Sequence, residues 1–150
     1  MSIYSILVLI HVVAAVAGLG ASFAMPVVMK TPETAHQAKF SLDLSKNIEN
    51  FAKVGSIVLL ITGLVMGFMN PYLFKTGWYI GSIAIYIGVQ FIVAGIMPKK
   101  VKQMAEIIHA HKGEDVPAAY GKINAELKPY NIIIHSAAII LIILMSIKPF

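Results

Sequence analysis

Four long apolar segments, each closed by a proline or a lysine, constrain this chain more than any other feature. They run from about Ile3 to Met29, Phe51 to Met69, Thr76 to Met97, and Pro129 to Ile147. A bilayer core of ~30 Å takes ~20 apolar residues as helix, so each segment is long enough to cross. In lipid the backbone must satisfy its own hydrogen bonds, and helices of this length do so. The expected fold is therefore all-α, a single four-helix membrane bundle over residues 1–150. Composition agrees: 58% of residues are hydrophobic and only 13% charged, unlike a soluble domain. The first segment lacks the basic start and short apolar run of a signal peptide.

Lysine placement sets the expected orientation. Ten of the twelve Lys lie in the loops after spans 1 and 3, and only Lys75 and Lys148 lie on the other side. The positive-inside rule puts those loops in the cytoplasm and both termini outside, in the inner (plasma) membrane. Residues 33–50 and 101–126 mix charged and apolar positions at helical spacing, with Val101, Met104, Ile107 and Ile108 on one face. They read as cytoplasmic extensions of the spans or as helices lying on the membrane surface. The run His109 to Asp115 reads as a break.

The same counts exclude several functions. All twelve basic residues are Lys, so there are no Arg forks for base edges or phosphates, and nucleic acid is not an expected partner. There is no Cys, which excludes thiolate metal sites and thiol catalysis. No acid lies deep in a span, which argues against a carboxylate proton relay.

Gly81, Gly88 and Gly95 recur every seven residues, and Gly63-x-x-x-Gly67 and Gly77-x-x-x-Gly81 add further small pairs. Such stripes bring helix backbones together in lipid, or make room for a flat cofactor. The pairs Met25/Met29 and Met66/Met69 sit one turn apart. Thioethers suit Cu(I) or haem iron, and they also fill apolar gaps.

Ionisable and amide side chains inside a membrane are functional candidates by default. Here they are His11, Gln90, Asn131 and His135. His11 shares its face with Ala15, Gly18, Ser22 and Met25, a small-residue face that leaves space beside the ring. Asn131 stands one turn before His135 and is placed to orient it. Span direction puts His11 outward of the midplane and His135 inward, offset on the order of 10 Å at ~1.5 Å per residue. One haem held by both is thus awkward. A His11/Met66 site and a separate cluster of Gln90, Asn131 and His135 fit the depths better. The alternative for each histidine is a neutral ring bonded between helices.

The pattern Ile10-His11, Pro26, the run Tyr72 to Trp78 and the terminal Lys148-Pro149-Phe150 resembles an uncharacterised group of four-helix membrane proteins. That group is distantly similar to the HemJ-type protoporphyrinogen oxidases and to CopD-type membrane domains. The resemblance implies that His11 takes part in a haem pocket, and it aligns Gly77-Trp78 and Asn131 with family positions. Where those proteins carry a Lys, an acid and a Pro, this chain has Ser82, Ile132 and Ile134. Porphyrinogen oxidation is not implied by what remains. The expectation is a small b-type haem protein with a redox or porphyrin-related role. Its cofactor would be haem b, with His11 and His135 as metal ligands and Met66, Gln90 and Asn131 beside the cofactor. Expected partners are the bilayer, a quinone or another redox partner, and a second copy of the chain. The alternative of another class is a non-catalytic scaffold, assembly or transport subunit with structural histidines.

Overall fold

A computed structural model describes residues 2–30 and 32–150. The chain is all helical: α1 (Ile3–Lys30), α2 (Ala35–Met69), α3 (Gly77–Gln90), α4 (Met97–Ala110) and α5 (Ala118–Ile147). A 3-10 turn at Pro71–Lys75 links α2 to α3. A π-helical turn at Phe91–Ile96 joins α3 to α4 into one rod. That rod, α1, α2 and α5 are the four helices long and apolar enough to span a membrane.

Local chemistry places the ends. Thr34 caps α2 by accepting from the Gln37 N–H at 3.2 Å, and the Gln37 carbonyl reaches back to the Glu33 N–H at 2.8 Å. The helix stops at Asn70-Pro71, because Pro71 cannot donate into the ladder. Pro98 likewise has no N–H for the Ala94 carbonyl one turn back, and the ladder widens to π geometry just before it. α4 ends at Ala110, within the run expected to break.

The segments expected on the cytoplasmic side continue the helices of the spans, and they pack on one another instead of lying on the membrane. Ala38, Leu42, Met104, Ile108 and Leu127 are fully covered there and, with Met29, Ala35 and Tyr120, form a compact apolar cap. Val101 and Ile107 pack against it, so the apolar face of α4 turns inward. The Ala35 N–H donates to the Glu114 carbonyl at 2.8 Å, clasping the return loop to the start of α2. In that loop His111 Nε2 lies 3.1 Å from Asp115 Oδ1, and this hydrogen bond holds the Asp115 carboxyl below its usual range. Lys100 pairs with Glu126 across α4 and α5.

At the opposite end, the Trp78 N–H donates to the Phe150 carbonyl at 3.0 Å, and the Phe150 ring fills the space beside Gly77. Lys148 takes a left-handed conformation (φ 50°) that ends α5, and its ammonium lies 5.6 Å from the Trp78 ring centre. Lys75 and Lys148 thus share this end, and the other ten Lys belong to the capped end and its connections. Trypsin added to inside-out vesicles should cut at Lys112, in the exposed return loop. Lys39 is half-buried and lies within α2, and should resist. Cleavage at Lys112 in intact cells would reverse the orientation.

Between its ends the bundle is two helix pairs. α1 lies along α2, and α3 with α4 lies along α5. Among the described residues the backbones of α2 and α3 do not meet. Side chains bridge them instead: the Tyr79 hydroxyl donates to the Gly63 carbonyl at 2.9 Å and the Tyr86 hydroxyl to the Ser56 carbonyl at 2.6 Å.

The glycine stripe of span 3 departs from its expected role. A Cβ built on Gly81, Gly88 or Gly95 would meet nothing within 4 Å, so no helix approaches them. The reason is rotational. Tyr79, Ser82, Tyr86 and Gln90 form the inward face of α3, and each of Gly81 and Gly88 sits two residues from one of them, about 200° around. The close contact of small residues lies between α1 and α2. There a Cβ on Gly55 would stand 2.5 Å from the Gly18 nitrogen.

Candidate functional site

Two cavities lie in the membrane part. The outer one, about 70 Å³, is bounded by His11, Leu59, Gly63, Tyr79, Ser82 and Tyr86, among others. The inner one, about 610 Å³, takes walls from all four spans and reaches toward the capped, lysine-rich end at Glu49, Lys53 and Pro98. Leu19, Leu59, Tyr86 and Leu141 line both.

His11 is buried on α1, with Nδ1 2.8 Å from Thr62 Oγ1. Thr62 Oγ1 lies 2.7 Å from the Val58 carbonyl, an acceptor only, so its proton points there. Thr62 therefore accepts from His11, which makes Nδ1 the protonated nitrogen and leaves the lone pair on Nε2. A Cβ on Gly63 would stand 3.3 Å from His11 Cε1, so this glycine makes room for the ring. Met66 lines neither cavity.

Gln90, Asn131 and His135 line the inner cavity together. His135 Nε2 lies 3.1 Å from the Ser22 carbonyl, which can only accept, so Nε2 carries the proton and Nδ1 the lone pair. That carbonyl is available for a simple reason: Pro26, four residues on, has no N–H to give it. The His135 ring stacks on Phe23, with centroids 4.4 Å apart. Asn131, one turn earlier, is not bonded to it, contrary to the expected orienting role; among the described residues its amide has no hydrogen-bond partner. Gln90 Nε2 donates to Ser56 Oγ at 3.1 Å, and that oxygen also lies against the Tyr86 hydroxyl. Glu49 and Lys53 pair at 2.8 Å on the side of the cavity nearer the apolar cap.

Ser56, Thr62, Tyr79 and Tyr86 were not among the sequence candidates. A signal was present, since Tyr79, Ser82, Tyr86 and Gln90 follow steps of three and four, a polar stripe on an apolar helix. At the end of α4, His109 bonds the Ala105 carbonyl at 2.7 Å while His111 faces Asp115, so the two rings do not converge. Among the described residues no three His, Cys, Asp or Glu side chains form a metal-sized cluster.

The chemistry open to this arrangement is binding of a largely apolar molecule with a few neutral polar atoms. A cavity of 610 Å³ lies within the ~300–1,000 Å³ range of small-molecule sites, and the 70 Å³ cavity lies far below it. No curated protein and no solved structure matches the chain. A family model described as predicted integral membrane protein (DUF2269) matches residues 5–149, nearly the whole length, and the chain belongs to that family.

Proposed function

We propose that the protein binds a flat, lipid-soluble ring of the haem, porphyrin or quinone class between its two helix pairs, in a redox or porphyrin-related role. The inner cavity carries this reading. It lies at membrane depth, has aliphatic walls, and gathers Ser56, Tyr86, Gln90, Asn131 and His135. Polar groups are costly there without a partner, and a ligand would supply one. The sequence resemblance of the motifs around His11, Pro26 and Gly77-Trp78 to HemJ-type proteins supports a ring in the bundle, and it bears on His11 and not on the inner cavity.

Haem b itself fits the side chains poorly as they stand. His11 keeps the accessible Nε2 lone pair but faces a cavity too small for a macrocycle. His135 faces the large cavity but has committed Nε2–H to Ser22. Its free nitrogen, Nδ1, adjoins the Cβ branch, where a macrocycle would crowd the helix. Bound haem would supply one-electron chemistry at its iron. The chain's own part would be to turn His135 off Ser22 and to exclude water.

The second reading, a scaffold or assembly subunit, is favoured by the same bonds. Each histidine already joins two helices, His11 to α2 and His135 to the carbonyl freed by Pro26.

Absorbance and solvent extraction of protein purified in mild detergent separate the two. The ring reading expects a bound chromophore that is lost in Ala138→Phe, which fills the inner cavity, and in Val93→Trp at its rim, with both variants still inserting. A Soret band that disappears in His135→Ala and survives His11→Ala would assign haem to the inner cavity. A parent with no bound ring, and mild effects of His11→Gln and His135→Gln on melting, would leave the scaffold.

A further inference from the structure

We infer that the inner cavity is a site for a neutral quinone or quinol head group, gripped between the Gln90 carboxamide on α3 and Asn131 with His135 on α5. This rests on the ring-binding reading and names the class of ring.

The argument starts from unfilled hydrogen-bonding capacity. A carboxamide has two N–H donors and a carbonyl with two lone pairs. Gln90 spends one N–H on Ser56, and among the described residues the Asn131 amide has no partner. His135 retains the Nδ1 lone pair, because its other nitrogen serves Ser22. Donors and acceptors thus stand open on the α3 and α5 walls of one cavity. At membrane depth such groups cost free energy until something bonds to them.

The walls narrow what that something is. Leu19, Leu59, Val89, Val93, Ile134 and Leu141 line most of the surface, so a cavity of about 610 Å³ full of water is unfavourable. An acyl chain would suit those walls but offers nothing to the amides. A porphyrin's acidic arms would need cations, and Lys53, the cation lining the cavity, is already paired with Glu49. A quinone has the matching pattern: an apolar flat ring, an apolar tail, and two neutral carbonyls on opposite edges. Its reduced form adds O–H donors that suit the His135 lone pair. Access is open from the side, because the α2 and α3 backbones do not meet and Ile57 and Val93, on either side, are exposed to the bilayer. The π-helical turn begins directly after Gln90, so the local widening sits beside the amide that would grip the ring.

The test is calorimetric titration of the whole protein in lipid nanodiscs with decylubiquinone and with menadione. Gln90→Leu and Asn131→Leu put an apolar side chain of broadly similar size in place of a part-buried amide at membrane depth, so both should fold. Each is expected to weaken binding about tenfold, the equivalent of one hydrogen bond. His11→Ala, outside the inner cavity, should leave the affinity unchanged. Quinone binding that is insensitive to both Leu variants would overturn the assignment. If neither quinone binds but protoporphyrin does, and Ala138→Phe abolishes it, the cavity holds a ring of another class and the quinone proposal falls. If nothing binds to the parent, the ring-binding reading falls with it.

Discussion

Gly55→Leu should separate α1 from α2 and give the largest loss of stability of any single change in the membrane part. A Cβ at this position would stand 2.5 Å from the Gly18 nitrogen, 2.7 Å from the Gly18 Cα and 2.9 Å from the Ala14 carbonyl oxygen. All three neighbours are backbone atoms, so none can swing aside and the helices must part. In lipid, water does not drive helices together, and association depends on close packing and interhelical hydrogen bonds. Overpacking a well-filled contact costs ~1–3 kcal/mol, and here the whole seam lifts, so the upper end applies. The His11–Thr62 bond lies on the same seam and should weaken with it. Gly18→Ala should be milder, since its Cβ would lie 3.0 Å from the nearest atom. Gly88→Leu should melt like the parent, because nothing lies within 4 Å of its Cβ. Thermal melting in one mild detergent orders the three. If Gly88→Leu proves the most damaging, the stripe on α3 is an interface after all.

Gly67→Ala should be the second most damaging change, and Tyr79→Phe should relieve part of it. A methyl on Gly67 would land on the Tyr79 hydroxyl and within 2.9 Å of the Phe74 ring. Tyr79 is buried, and its edge-on contact with Phe74 (5.3 Å between centroids) and its bond to Gly63 hold α3 against α2. The methyl therefore forces out one of the bridges that replace backbone contact between these helices. Tyr79→Phe alone should cost ~1 kcal/mol, the usual size of one interhelical hydrogen bond in a membrane. The double variant should lose at least ~1 kcal/mol less than the two single losses together, a coupling expected of residues in contact. The relief is partial, since the ring carbon Cζ also lies within 2.9 Å of the added methyl. Strict additivity in the melting series would mean that the two side chains do not meet.

Much of this architecture was legible along the chain. Span number followed from hydropathy, and the breaks between helices from Asn70-Pro71 and the run after His109. The apolar face of α4 was legible because its other faces are charged. The grouping of Gln90, Asn131 and His135 followed from counting depth along straight spans. The pairing of His11 with Met66, counted in the same way, did not carry over, because depth says nothing about which way a side chain turns around its helix. Thr62, one turn earlier on the same helix, is the residue that faces His11.

Hydropathy along the chain set how many times it crosses, and lysine placement set which end carries the charge. These depend on the local exchange of water for lipid, which each segment makes on its own. Which faces meet depends on contacts between helices: Gly55 instead of Gly88 at the close contact, Tyr86 and Ser56 across the gap, and Ser22 as the partner of His135. In a membrane most of each span's circumference is apolar, so hydropathy gives little direction around the helix beyond a sparse polar stripe such as that of α3. That choice rests on the shape of small residues and on hydrogen bonds between helices distant in sequence.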